Sequence, residues 1–348
     1  MSKMSQPNRL RGVVVGGIAL AGVLAGAAPV WSQTPRRAVF VVNNVSDEIT
    51  AFTVNSDGTL NFVGTYATDR APTPIAVAPG GAHLATANAT DYDIELVTIF
   101  AVNPDASLSE VASTTFPNSP LSLVWINDLT VAVGESTIGS SKIHVYAFDP
   151  DLGTLTEIDQ EPSGSFNTSL ALSRDGRYLY AQDSSGYLIR WFAVQANGTL
   201  SFAGSVSTSG IYPLDLVITH DGTKLYAGGG ISQGGHMVLG FAIDQETGQL
   251  TPLPGSPYYS PGASPAYTAV STDDRYLFVG HGTDATVRTF AINADGSLTA
   301  TGFFFDVGLQ GTCGDLQTLG RLLFVTDEST AGDGITCLLY TSPSPRDS

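Results

Sequence analysis

Cysteine is nearly absent: the 348 residues include only Cys313 and Cys337, so no disulfide framework is expected to hold the fold. Positive charge is scarce as well, with 15 Lys and Arg against 32 Asp and Glu and a net charge of −17. No basic stripe exists to neutralise phosphates, which excludes a nucleic-acid binder. The same acidic balance repels anionic substrates at long range. Nothing in the chain has the length and 3.6-residue period of a substantial helix. The five histidines, His83, His144, His220, His236 and His281, lack zinc spacing. Gly228, Gly229 and Gly230, with Gly234 and Gly235, precede no helix or P-loop Lys-Ser/Thr and read as a flexible loop. No Gly-x-Ser-x-Gly elbow stands in a strand-to-helix context.

What is present is a repeat. TVRTFAINADGSL from Thr286 is an alternating run, a turn carrying Asp295 and Gly296, and a second strand from Leu298. Asp-Gly between two such runs signals a hairpin. ITAFTVNSDGTL from Ile49, VTIFAVNPDASL from Val97, IHVYAFDPDLGTL from Ile143, IRWFAVQANGTL from Ile189 and VLGFAIDQETGQL from Val238 follow the same plan. The aromatic recurs at Phe52, Phe100, Tyr146, Phe192, Phe241 and Phe290, at intervals of 48, 46, 46, 49 and 49. A second landmark, apolar strand, Asp or Gly turn, strand, recurs at Ile75, Leu170, Leu216 and Ala269. Four short antiparallel strands per period, here named A to D, predict an all-β, seven-bladed β-propeller. The aromatics are expected to pack between blades.

Strand counting predicts how the ring is filled. Residues 39–66 supply B, C and D of a first blade, complete units begin near Thr73, Pro120, Asn167, Pro213 and Pro265, and a last A and B occupy 312–327. The count predicts a C-terminally truncated propeller with an open ring and unpaired edges. The propeller domain is assigned to 38–336. Residues 337–348 read as an adapter-derived tail, because CLLYTSPSPRD resembles translated sequencing-adapter DNA. Residues 1–32 read as an export signal: Lys3, Arg9 and Arg11 precede an uncharged apolar run, and Val30 and Ser32 suit a cut before Gln33. A membrane anchor is the alternative. Bacterial periplasm or exterior is the expected location.

The combination of SRDGRYLYAQD and TFAINADGSL-type copies resembles the lactonase family of seven-bladed propellers, which includes 6-phosphogluconolactonase-like proteins and carboxymuconate cyclases. The resemblance spans about residues 38–330. It implies hydrolysis of a small lactone or sugar-acid lactone. The family's His-rich stretch and Asp-Leu-Gly correspond here to Ser165–Gly186, SFNTSLALSRDGRYLYAQDSSG. Asp183 matches the Asp, both histidines are replaced within 165–168, and Leu-Gly has become Ser184-Ser185.

B–C and D–A loops share one face of a propeller, around the channel mouth, and that rim is the candidate site. Asp183 or His281 is the candidate base to activate water. Arg70, Asn88, Glu135, His236 and Asp327 are the candidate substrate-binding residues, with Arg70 or His236 facing developing charge. The competing reading has Asp183 and Asp327 capping strand ends through loop amides. No metal ligand or cofactor is assigned, Ca²⁺ on rim carboxylates being the one ion considered. A non-catalytic propeller binding a protein, glycan or small ligand is the second function class. A monomer is expected.

Overall fold

The repeated aromatic marks the third strand of each blade and builds the interior. In the computed structural model, which describes residues 17–21, 37–88, 95–230, 236–307, 313–327 and 335–339, Phe52, Phe100, Tyr146, Phe192, Phe241 and Phe290 are all buried. Each lies opposite an apolar residue of strand B: Val39, Leu84, Val131, Leu179, Leu225 and Leu277. In blades 1, 2, 3, 4 and 6 the C–D ladder also shifts register immediately before the aromatic. Such a bulge bends the outer strand and increases local twist.

The described residues form seven antiparallel sheets in sequence order around a ring. Blade 1 comprises Gly17–Ala21, Arg37–Asn43, Glu48–Val54 and Leu60–Ala67, and blade 2 comprises Pro72–Val77, His83–Asn88, Glu95–Val102 and Leu108–Phe116. Blade 3 is Pro120–Asn127, Thr130–Glu135, Ser141–Asp149 and Thr154–Gly164; blade 4 is Leu170–Leu172, Tyr178–Asp183, Leu188–Val194 and Leu200–Ser207. Blade 5 is Tyr212–Ile218, Lys224–Gly230 and His236–Ile243, with Leu250–Pro252 and Tyr258–Tyr259 both pairing with the third strand. Blade 6 is Pro265–Val270, Tyr276–His281, Thr286–Ile292 and Leu298–Asp306; the described part of blade 7 is Cys313–Leu319, Leu322–Asp327 and Ile335–Leu339.

The core is divided among the interfaces between blades. Phe40, Val42 and Ile49 pack on Leu84 and Phe100 between blades 1 and 2, and equivalent clusters fill the following interfaces. The last cluster corrects the expectation of an open ring: Val39, Val41 and Phe52 of blade 1 pack on Leu322, Phe324 and Ile335 of blade 7. Apolar side chains on two facing sheets suffice for closure. The innermost place of blade 1, left empty by the strand count, is taken by Gly17–Ala21, with Gly17 opposite Val42 and Ala21 opposite Ala38. The rest of 1–36, and 340–348, lie outside the described residues.

Blades are also locked by polar contacts legible in the repeat. The buried Tyr180 hydroxyl of blade 4 donates to Gly248 O in the C–D turn of blade 5 (2.9 Å), and Tyr226 of blade 5 donates to Gly296 O of blade 6 (2.7 Å). Buried phenols need such acceptors. The glycine cluster is corrected as well. Gly228, Gly229 and Gly230 end a strand, and a Cβ on Gly228 would stand 2.6 Å from Pro265 O. Close approach of blade 6 explains Gly228, not loop flexibility; Gly234 and Gly235 lie outside the described residues.

Candidate functional site

The A strands enclose the channel, and their local sequence shapes its wall. Pro72, Pro120 and Pro265 open strands A of blades 2, 3 and 6, Pro213 is the second residue of strand A of blade 5, and the A–B register shifts just after each. Proline lacks the N–H for a ladder bond, so the head of each strand bulges and re-aims its side chains. The result is a cavity of about 870 Å³ walled by residues 73–75, 121–123, 168–170, 214–217, 266–270 and 315–319. That volume suits a small-molecule ligand.

Asp215 and Asp315 are the two carboxylates in this wall. Asp215 Oδ1 accepts from Ser169 Oγ of blade 4 (3.0 Å), and its Oδ2 accepts from Thr268 N (2.7 Å) and Thr268 Oγ1 (2.8 Å) of blade 6. Burial pushes its pKa up, against the opposing pull of these hydrogen bonds. A carboxylate offers about four acceptor sites, and the Leu216 amide also bonds to this one. At the far end of the channel, Arg174 donates through Nε to Thr219 O (3.1 Å) and through Nη2 to Ile218 O (2.7 Å). Asp215 lies in the middle of its strand, not at an end where polar residues are expected. The available signal was an acid inside the apolar run of Tyr212–Ile218, YPLDLVI, where a charge must have a partner or a purpose.

The residues expected at the rim form a second layer behind the A strands. Asp183 is 3% exposed. Its Oδ1 accepts from Ser165 N and Gly186 N, both at 2.9 Å, and its Oδ2 accepts from Arg190 Nε (3.1 Å) and Nη2 (2.8 Å). It therefore ties the D–A loop entering blade 4 to that blade's B–C loop. His281 is fully buried, with Nε2 2.9 Å from Ser260 Oγ and Nδ1 3.2 Å from Thr286 O. A carbonyl only accepts, so Nδ1 carries the proton and Nε2 accepts from Ser260. Burial lowers the His281 pKa, Asp284 opposing, which favours this neutral form.

Glu135 accepts from Asn118 Nδ2 (2.8 Å) and Thr137 Oγ1 (2.6 Å), and its other oxygen lies 3.3 Å from His144 Nε2. His144 Nδ1 is 2.6 Å from Glu157 Oε1, which makes a carboxylate–imidazole–carboxylate chain in blade 3 that runs from buried Glu135 to exposed Glu157. Asn88 donates to Arg70 O (2.9 Å), and Arg70 itself is exposed on the first D–A loop. His236 Nδ1 accepts from Ser264 N at 3.1 Å. Asp327 ends strand B of blade 7, and its side chain lies outside what is described. Asp183, His281, Glu135 and Asn88 thus hold corresponding places in four blades, yet none lines the cavity. Among the described residues no group of three His, Cys, Asp or Glu is placed to hold a metal ion.

Comparison with known proteins adds a family. The family described as "Lactonase, 7-bladed beta-propeller" matches residues 24–125, 139–259 and 238–315. The 6-phosphogluconolactonase of Bacillus subtilis is 31% identical over 125 residues, 34% of this chain and 35% of that protein. The 6-phosphogluconolactonase of Pectobacterium atrosepticum is 31% identical over 138 residues, 37% of this chain and 40% of that protein. The match therefore spans less than half the length of these relatives. Among solved structures, the Pseudomonas aeruginosa periplasmic gluconolactonase superposes with a TM-score of 0.69 at 17% identity, covering 94% of this chain and 88% of that one. A 6-phosphogluconolactonase-like structure from Bacteroides fragilis gives 0.66 at 19% identity, covering 83% of each chain. At these identities the structural likeness speaks for the fold.

Proposed function

Because the chain belongs to the lactonase family of seven-bladed β-propellers, we propose that it hydrolyses a small, uncharged lactone or sugar-acid lactone in its central channel. The observation that carries this reading is Asp215, an acid with a raised pKa in the wall of a cavity of about 870 Å³. The partial likeness to two 6-phosphogluconolactonases supports the reaction type. A net charge of −17 and a carboxylate in the wall disfavour an anionic substrate.

Asp215 takes a proton from water as the water oxygen adds to the lactone carbonyl carbon. The tetrahedral intermediate then expels the ring oxygen, the C–O bond breaks, and Asp215 returns the proton to the leaving alkoxide. The product is the open hydroxy acid. A carboxylate with a raised pKa is the better base for this step near neutral pH. Ser169 and Thr268 fix its orientation from the two neighbouring blades. Asp183 and His281 act through the loops they hold, Arg70 stands on a loop of the same face, and His236 opens strand C of blade 5 there.

A pH-stat assay on a lactone panel tests the proposal. Proton release above the spontaneous rate should fall by about 10²–10⁴-fold in Asp215→Asn, the contribution of a positioned base. Release equal to the spontaneous rate, or an unaffected Asp215→Asn, removes Asp215 hydrolysis from consideration. The second reading, a propeller that binds a small ligand, glycan or protein without turnover, is favoured by one observation. Asp183 and His281 are buried, held by neighbouring backbone and side-chain groups, and do not face the cavity. We further propose export to the bacterial periplasm or exterior, with cleavage before Gln33. That cut would remove Gly17–Ala21 from blade 1, and N-terminal sequencing of the exported protein checks it.

A further inference from the structure

Left-handed backbone recurs in the rim loops. In D–A loops it falls on Ala71 (φ 51°), Phe166 (60°), Ser209 (56°) and Ser264 (60°), and in B–C loops on Asp47 (57°), Gly139 (82°), Tyr187 (55°) and Ala285 (52°). Six of these eight residues are small or Asp, as the steric cost of this region requires. Phe166 and Tyr187 are the two bulky ones. They stand on the D–A loop entering blade 4 and on the B–C loop of blade 4. Among the described loops that make this turn, the other six hold it with Ala, Ser, Asp or Gly, so the turn itself does not call for a ring at either place. Strain of this kind concentrates at ligand clamps.

Both aromatics are set by one side chain. Asp183 Oδ1 binds the amides of Ser165 and Gly186, the residues immediately before Phe166 and Tyr187, each at 2.9 Å. The Tyr187 ring lies 4.7 Å from the Tyr212 ring, and its hydroxyl donates to the Tyr212 hydroxyl at 2.8 Å. Among the described residues the Tyr212 hydroxyl has no acceptor of its own. Phe166 is 42% exposed, and its amide reaches Thr137 O (3.3 Å), beside the 80% exposed Ile138. Two residues beyond Phe166 and Tyr212, Thr168 and Leu214 line the channel. The aromatics therefore stand at its mouth.

We infer that Phe166, Tyr187 and Tyr212 form a stacking platform for the C–H face of a saturated sugar-type ring, with the Tyr212 hydroxyl donating to a ring substituent. An aromatic face is negative and attracts the weakly positive C–H groups of such a ring, and a rigid ring orders at little entropic cost. The class of ligand rests on the lactone reading; the platform itself does not need turnover. Asp183 is then a positioning residue for recognition.

Saturation-transfer NMR on the full chain tests it with two probes. One is 1,5-anhydroglucitol, a ring with no hydrolysable carbonyl; the other is sorbitol, its open-chain counterpart. The ring is expected to receive saturation and the open chain to receive little. Phe166→Gly and Tyr187→Gly are each expected to weaken ring binding by about tenfold or more, the scale of one lost aromatic contact with its buried area. Neither should lower the melting temperature, because glycine accepts this backbone without strain. Absence of ring binding in the wild type overturns the platform, as do glycine variants that melt earlier while keeping the probe. An inactive lactone panel with ring binding intact would remove hydrolysis and leave the platform standing. Turnover without ring binding would do the reverse.

Discussion

Within Tyr212–Ile218 an acid interrupts a run of Leu, Val and Ile, and its partners come from blades on either side. Buried acids and buried histidines shift in opposite directions, and each direction has a consequence. Burial raises Asp215, so the base-catalysed limb of kcat/KM is expected above the ordinary Asp value of about 3.9. Burial lowers His281. The unfolded chain then binds the proton more readily, so stability from neutral His281 is complete above about pH 6.5 and lost as pH falls through the unfolded and then the folded pKa. His281→Gln removes that titration and is expected to flatten the urea midpoint against pH below about 6.5. An unchanged slope would mean that Ser260 and Thr286 do not hold a neutral ring.

The turns between strands carry the same logic through their aspartates. In the A–B turns, burial alone would raise Asp175, Asp221 and Asp273, yet hydrogen bonds from Ser173 and Arg177, from Thr219 and Thr223, and from Ser271 and Arg275 outweigh it and lower all three, Asp221 to about 2. A depressed folded pKa stabilises above the unfolded value of about 3.9 and is lost as pH falls through the folded value. Stability is therefore expected to decline from about pH 4 to pH 2, and Asp221→Asn should reduce that slope in chemical denaturation. The strands differ in what limits them. In Lys224–Gly230 the constraint is steric, since a Cβ on Gly228 meets the backbone carbonyl of Pro265. Gly228→Val is expected to destabilise by about 1–3 kcal/mol, the usual range for overpacking, read as a lower thermal midpoint.

For the ring as a whole, the decisive interface is the one between blades 7 and 1. Phe324 is fully buried against Val39, Val41 and Phe52, as Phe192 is buried between blades 3 and 4. Phe324→Ala and Phe192→Ala should both cost about 3–5 kcal/mol in urea unfolding. A cost at Phe324 far below that at Phe192 would mean that the ring does not close through this contact. Closure also decides the channel, because the cavity wall draws on the A strands of blades 2 to 7 together.

How much of this was legible in the sequence follows from the range of each interaction. Period, alternation and Asp-Gly turns are local, so they determined strand order, the buried aromatics from Phe52 to Phe290, and the seven blades. The family resemblance likewise rested on local motifs. The contact of Phe324 with Phe52 joins distant parts of the chain, and the first blade's inner strand comes from the stretch that reads as an export signal; only tertiary structure decided them. The site divides in the same way. Asp183 and His281 were visible as polar strand ends, but their burial depends on loops folded over them. Asp215 looked like one acid among 32 Asp and Glu. Its partners Ser169 and Thr268 lie 46 and 53 residues away, a separation that only the closed ring brings within hydrogen-bond reach.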